Sequence, residues 1–352
     1  MKVAVVGVGL IGGSVGLAAR HRLGAHVCGV GPEAPRALEL GAIDEACHDV
    51  GGALDGADAA FVAVPVAALP AVVGQVLSAA PAGCVVTDVG STKRAVVAAH
   101  DDERFVGGHP LAGAEASGVE HARDDLFDGA TWYLTPTSRT SGVLLERLHR
   151  ALTGLGARPT AIDADTHDRV MAAVSHLPHV VANVLVAQAS RALGGERLPP
   201  TGPSFRDATR VAGANPALWT EIYLSNQDAL VAAIDETVRR LGEAREALAA
   251  GDERALSGWQ AGAQAERRAL LEVGLAGGPV RELHASVPNR PGVIADIALT
   301  LGRAGVNITD MALSPSPDNT QGEVALWIAE PQAEEAARLL GKLEPGWRVE
   351  LR

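Results

Sequence analysis

Residues 3–31 read VAVVGVGLIGGSVGLAARHRLGAHVCGVG, and this stretch decides the fold. An apolar run, Val3 to Val6, enters the turn Gly7-Val8-Gly9-Leu10-Ile11-Gly12; an alanine-rich stretch follows, and a second apolar run starts at His26. In the order strand, turn, helix, strand, each glycine has its own task. Gly7 permits the tight turn, Gly9 lets a pyrophosphate approach the backbone, and Gly12 lets the helix pack against the strand, with the helix N-terminus facing the phosphates. The stretch therefore predicts a Rossmann domain that binds a nicotinamide dinucleotide, with Gly7, Gly9, Leu10, Ile11 and Gly12 on the cofactor. The acid that usually ends the second strand and bonds the adenosine ribose is absent, because VCGV runs into Gly31-Pro32-Glu33. Glu33 is the substitute two residues on, and Arg36 is the nearest base that would favour a 2′-phosphate. NAD is the expected cofactor, with NADP left open.

Outward from this unit, short β-branched runs alternate with helical stretches up to about Thr160, the pattern of a parallel sheet built from βαβ units. The candidate strands are Val3 to Val6, His26 to Val30, Ala59 to Val64, Val85 to Asp88 and Arg104 to Gly107. From Asp163 the strand signals stop, and the segments 166–194 and 216–249 show helical spacing, apolar on more than one face, which predicts an all-α domain that dimerises. After Gly277-Gly278-Pro279, a hinge by composition, the order is strand 281–287, helix 292–304, strands 306–313 and 323–329, helix 331–341 and strand 347–351. That is the βαββαβ ferredoxin-like unit. The expected domains are 1–162, 163–277 and 281–352.

A chain of 352 residues exceeds one ordinary domain. With a formal net charge of -12 and no basic stripe, nucleic acid is not an expected partner. No uninterrupted apolar stretch approaches the ~18 residues of a membrane span, and the first residues read better as strand, turn and helix than as a signal peptide, so a cytoplasmic protein is expected. Cys28, Cys47 and Cys84 are odd in number and lack metal spacing, so neither a disulfide framework nor a metal site is expected.

Further chemistry is concentrated in FVAVPVAAL (61–69), DVGSTK (88–93), GGHPLAGAEASG (107–118), SHLPH (175–179) and DATRVAGANPALW (207–219). Val64 and Pro65 would lie along the cofactor or simply end a strand. An imidazole beside a nicotinamide is the usual acceptor for an alcohol proton, since its pKa lies near neutrality, and His109, in a glycine-flanked loop before Pro110, suits that task. In this order and spacing, GxGLIGGS, GSxK, HPLAGxExSG, SHLPH, DxTRxA and NPxLW resemble the prephenate dehydrogenases of tyrosine biosynthesis over essentially the whole chain. Asn289-Arg290-Pro291-Gly292-Val293 and Gly305-Val306-Asn307-Ile308 resemble an ACT domain.

The resemblance implies that His109 deprotonates the ring hydroxyl, that Ser91 orients His109 and the nicotinamide, and that Lys93 serves at the cofactor. Lys93 also stands out as one of three lysines, with Lys2 and Lys342. Arg210 would bind the side-chain carboxylate and His179 would contact substrate. Asp207, Glu115 and Trp219 would support or gate the pocket. It further implies a homodimer and a tyrosine effector near Gly292 and Asn307, against which stands an ACT module that only dimerises. Other readings stay beside these: Arg210 paired with Asp207 one turn away, Glu115 as a solvated acid, Trp219 as core, His176 as a helix-packing residue. His167, like six other histidines outside the motifs, reads as surface or packing. Residues 201–206, TGPSFR, depart from the family's glycine-rich stretch, so arogenate stands beside prephenate as substrate, with a dual cyclohexadienyl dehydrogenase between them. A non-catalytic NAD and amino-acid sensor is the rival from another class. A different hydroxy-acid dehydrogenase would carry a lysine in the helical domain, and none lies between Lys93 and Lys342.

Overall fold

The computed structural model describes residues 1–113, 116–192, 201–273, 280–315, 321–344 and 347–351. They form two compact units, one of Met1–Asp168, Ala214–Ser225 and Val280–Arg352, the other of Arg169–Gly213 and Asn226–Pro279. The first unit begins β1 (Lys2–Val6), α1 (Leu10–Leu23), β2 (His26–Val30), α2 (Ala34–Glu39), β3 (Glu45–Ala46), α3 (Val50–Leu54), β4 (Ala59–Val62) and α4 (Leu69–Ala79). It continues through β5 (Val85–Asp88), α5 (Arg94–Ala99), β6 (Phe105–Pro110), β7 (Thr131–Thr135), α6 (Gly142–Gly154) and β8 (Arg158–Ala161). The strands form one sheet in the order β3-β2-β1-β4-β5-β6-β7-β8. All pairs are parallel except β6 with β7. β4 and β5 are buried at every position, as strands covered on both faces must be. The strand order reverses between β1 and β4, which opens the crevice at their carboxyl ends where such sheets bind ligands.

Two departures from the sequence reading reshape the site. β7, TWYLT, runs against the βαβ rhythm, and β8, RPTA, contains a proline, which is tolerated on an edge strand but hides it in the sequence. Because β7 pairs with Gly107–Pro110, β6 does not stop at Gly107, and His109 lies on a strand opposite Tyr133 rather than in a loop. Position β4 also ends two residues early, at Val62, leaving Val64 and Pro65 in the connection to a short turn at Val66–Ala68.

The chain leaves the first unit along α7 (Ala164–Met171). α8 (Leu177–Ala192), α9 (Pro203–Thr209), α11 (Gln227–Ala250) and α12 (Glu253–Val273) belong to the second unit, while α10 (Pro216–Ser225) belongs to the first. The predicted helix 166–194 is interrupted by a π turn, Ala172–His176. Pro178 has no N–H and would crowd the carbonyl of Val174, and a widened turn relieves that clash. The predicted helix 216–249 breaks at Asn226, which is buried and bonds His176 (Nδ2 to Nδ1, 3.2 Å). His176 is therefore a packing residue. By length and composition alone, Ala164–Ala192 is apolar enough to cross a membrane, a match missed by counting only uninterrupted apolar residues; the run also carries His167, Asp168, Arg169, His176 and His179.

The C-terminal module comprises β9 (Val280–Pro288), α13 (Val293–Arg303), β10 (Ile308–Pro315), β11 (Gln321–Ala329), α14 (Glu330–Leu343) and β12 (Arg348–Leu351), with antiparallel order β10-β11-β9-β12. This is the expected βαββαβ unit, but it does not hang apart. Leu144, Leu145 and Leu148 of α6 share one hydrophobic core with Ile294, Ile297 and Leu301 of α13. Gly302 lies so close to the Ala161 carbonyl, and Gly292 to the Ser138 carbonyl, that a Cβ on either would overlap that oxygen. His149 Nε2 donates to the Ile308 carbonyl at 3.1 Å. The hinge residues Gly277-Gly278-Pro279 lie outside the described residues.

Candidate active site

The glycine turn is shaped by three different constraints. Gly7 has φ +93°, a value that L side chains rarely adopt, and its N–H bonds the Val30 carbonyl at 2.8 Å. A Cβ on Gly12 would overlap the Gly7 oxygen, whereas a Cβ on Gly9 would meet nothing within 4 Å. Gly9 is also the N-cap of α1, no side chain caps that helix, and its first turn holds no acid. Open space in front of uncapped N–H groups is what a dinucleotide pyrophosphate requires. Leu10 and Ile11 begin the helix half-buried. Glu33 accepts from Val119 N at 2.8 Å, and Arg36 is paired with Glu39 (2.7 Å) and Glu120 (3.3 Å).

The segment 88–93 turns between β5 and α5 around the Asp88 carboxylate, which accepts from Gly90 N (2.8 Å), Gly108 N (3.1 Å) and the Lys93 ammonium. Lys93 Nζ also donates to the Gly108 carbonyl at 2.7 Å, and its side chain is fully buried. The lysine expected at the cofactor thus places its ammonium as a strut joining β5 to β6, bonded to Asp88 and the Gly108 carbonyl. Burial pushes its pKa down, opposed by Asp88. Ser91 Oγ is itself buried and has no hydrogen-bond partner among the described residues, an orphan that a bound group would satisfy. The structure does not join Ser91 to His109.

His109 instead bonds a residue that the sequence reading passed over. Its Nδ1 lies 2.9 Å from His167 Nε2, and His167 Nδ1 lies 2.7 Å from Asp168 Oδ1. His167 and Asp168 are fully buried. Asp168 also accepts from Lys93 N (2.8 Å) and from Arg94 N (3.0 Å) and Nε (3.2 Å). Burial alone would raise the Asp168 carboxyl, but the bonds from His167, Arg94 and Lys93 hold it below the usual carboxylate range. Burial lowers His167, so its imidazole is neutral. The signal in the sequence was the adjacent His167-Asp168 pair on α7, ADTHDRVM, at the start of the helical segment.

Trp219 is half-buried on α10 of this same unit, its ring 5.6 Å from that of Tyr223, and Ser225 at the end of α10 bonds Thr92 (3.1 Å). In the second unit, His179 Nδ1 donates to the Ser175 carbonyl at 3.0 Å, across the π turn. Burial, with the nearby Arg210 charge, lowers its pKa. Arg210, just beyond α9, and Asp207 on α9 are exposed. Glu115 lies outside the described residues. Cys28 and Cys84 are buried thiols pushed up to about 11 by burial. The ligand atoms of His26, Cys28 and Glu45 lie within 4.8 Å of one another at β2 and β3, a grouping that the cysteine spacing did not announce.

In the C-terminal module, Asn307 Oδ1 accepts from Thr160 (3.1 Å), and Gly292 is wedged on Ser138. Beside Gly292 lies a cavity of about 440 Å³ lined by Asn289, Arg290 and Pro291 of the β9–α13 turn and by Glu103, Ser141 and Val143.

A mostly parallel sheet with an uncapped glycine turn at its switch point, and a histidine on β6 backed by a buried His167–Asp168 pair, defines a dinucleotide-dependent oxidoreductase. Residues 21–161 match the prephenate dehydrogenase nucleotide-binding domain, 163–260 the prephenate dehydrogenase dimerization domain and 283–344 the ACT domain. The first match begins beyond the glycine turn, which thus stands on its own geometry. The chain is 32% identical to prephenate dehydrogenase of Bacillus subtilis over 336 residues, 91% of this chain and 90% of that one. Among solved structures it is similar to prephenate dehydrogenase from A. aeolicus in complex with hydroxyphenyl propionate and NAD+ (TM-score 0.70, 30% identity, 77% of this chain and 98% of that one). It is also similar to Synechocystis arogenate dehydrogenase (TM-score 0.67, 29% identity, 77% and 100%). The chain belongs to the prephenate dehydrogenase family.

Proposed function

We propose that the protein is a cytosolic, homodimeric, NAD-dependent prephenate dehydrogenase that converts prephenate to 4-hydroxyphenylpyruvate and CO2. The observation that carries this reading is His109, fixed on β6 by a buried His167–Asp168 pair, in a chain similar to a prephenate dehydrogenase over 91% of its length. Gly7, Gly9, Leu10, Ile11, Gly12, Val64, Pro65 and Ser91 would hold the dinucleotide, which supplies the hydride acceptor. His109 takes the proton of the ring hydroxyl, and aromatisation drives loss of the ring carboxylate. Arg210 offers a planar cation for the side-chain carboxylate, and such positioning can contribute several kcal/mol. The lowered pKa of His179 keeps a neutral imidazole for a polar contact with substrate. Asp207, Trp219 and Glu115 would shape the approach.

Measuring kcat/KM for prephenate and arogenate, each with NAD and NADP, tests this. Prephenate with NAD is expected to lead; a lead for arogenate would move the chain to the Synechocystis-like activity, less than tenfold discrimination would make it a cyclohexadienyl dehydrogenase, and no NADH from either substrate would favour a sensor. The pairing of Arg36 with two carboxylates supports NAD over NADP.

Exposed apolar side chains support the dimer. Val174, Val181 and Val184 on one run, and Val231, Val238, Leu241 and Leu248 on α11, recur at spacings of seven and three, the spacing of a helical seam. An amino-acid effector, tyrosine first, would belong to the cavity beside Gly292, whose lining includes Glu103 for an ammonium and Arg290, now paired with Asp296 (3.1 Å) and Glu344 (3.2 Å), for a carboxylate. Gly292 ends the turn that borders that cavity, and Asn307 would serve the effector from just before β10.

A further inference from the structure

We propose that His167 and Asp168 are positioning residues for the reaction: they fix the tautomer of His109 so that Nε2 is its basic nitrogen, and they stabilise the charge it gains. The proposal rests on His109 being the base.

The Asp168 carboxylate only accepts, and three N–H groups from Lys93 and Arg94 already point at it. The group on His167 that faces Asp168 Oδ1 at 2.7 Å must therefore be Nδ1–H. A neutral His167 then has its lone pair on Nε2, and the atom facing it at 2.9 Å, His109 Nδ1, must donate. One tautomer of His109 remains, with Nε2 free of a proton. The second nitrogen of a base determines which one reacts, as in hydrolytic triads where a buried acid orients a histidine.

The proton step balances without further groups. The O–H bond of the ring alcohol breaks, its proton forms the N–H bond on Nε2, and the oxygen pair becomes the new carbonyl as hydride leaves the ring carbon for the oxidant. When CO2 departs, its bonding pair aromatises the ring and Nε2 returns the proton to the phenolic oxygen. No net proton is released. Between the two transfers His109 is an imidazolium whose Nδ1–H points along His167 toward the Asp168 charge. Among the described residues, the other charged or titratable groups around His167 include Lys93 with its partner Asp88, Arg94 on α5, and Tyr133 on β7, whose ring stands edge-on to His167 at 5.6 Å. Lys93 and Arg94 disfavour the imidazolium, so Asp168 is the group whose removal should be felt most.

The test uses the full-length protein with Asp168→Asn, His167→Leu and His167→Gln, measuring kcat for prephenate against pH together with NADH binding. Asp168→Asn and His167→Leu are each expected to lower kcat about 100-fold at neutral pH, with NADH affinity retained. In Asp168→Asn the ionisation seen in kcat should move to lower pH, because the imidazolium loses its counter-charge. His167→Gln, whose amide oxygen still accepts from Nδ1–H, should keep most of the activity lost in His167→Leu. Retention of kcat within twofold in Asp168→Asn and His167→Leu, or a loss that leaves the ionisation in place and is not relieved by glutamine, would overturn the proposal. Should a variant not fold, nitrogen NMR of histidine-labelled wild type decides: a protonated Nε2 on His109 at neutral pH overturns it as well. His109→Asn separates the two layers, since preserved turnover there removes His109 as the base, whatever the neighbours do.

Discussion

Lys93 shows how one side chain can change its meaning once its surroundings are known. Its scarcity in an arginine-rich chain marked it as a residue with a task, and the task is burial against Asp88 and the Gly108 carbonyl. Removing one member of such a pair leaves the other charge buried alone, which costs about 3–5 kcal/mol. Lys93→Met should lose stability of that order in denaturant unfolding, and the double variant with Asp88→Asn should recover part of it. NADH affinity of the folded protein should not change; a weakened affinity at unchanged stability would return Lys93 to the cofactor. Ser91 is the opposite case, since its sequence position was legible while its buried Oγ, without a hydrogen-bond partner among the described residues, was not.

At the scale of elements, the glycine turn separates binding from stability. Gly9→Ala fills open space at an ordinary φ of −80°, so it should leave unfolding unchanged while raising the KM for NAD about tenfold or more, by blocking close approach to the pyrophosphate. Gly12→Ala must push the Gly7 carbonyl aside and should destabilise by about 1–3 kcal/mol. Equal effects of the two on unfolding would refute this division. A pH effect belongs to the seam between α6 and β10. Burial lowers the pKa of His149, whose Nδ1 has no partner among the described residues. The unfolded chain, with an ordinary pKa of about 6.5, thus binds the proton first on acidification. Stability is full above that pH and falls below it, with His167 adding a slope of the same sign. Thermal melts between pH 7.5 and 5 should show the decline, and His149→Phe should flatten it by the share of that one residue.

For the whole molecule, the exposed apolar seam of the helical segment predicts a dimer whose integrity depends on it. Val184→Arg with Leu241→Arg should give monomers in sedimentation experiments, whereas an unchanged dimer would place the interface elsewhere. The sequence determined most of the architecture, because glycine turns, β-branched runs and helical spacing are local signals: β1, β2, β5 and all six elements of the C-terminal module stand within two residues of their expected places. It also identified His109 as a candidate by its chemistry, and Ser91, His179 and Arg210 through the family resemblance of their motifs. Only the tertiary structure decided that β6 continues through His109, since that depends on pairing with an antiparallel β7 far along the chain. It alone merged the C-terminal module with the core of the nucleotide-binding half, and it alone set His167 and Asp168 behind the candidate base. Hydrogen bonds between residues 58 positions apart leave no periodicity in a sequence, and a buried histidine differs from a surface one only in what folds over it.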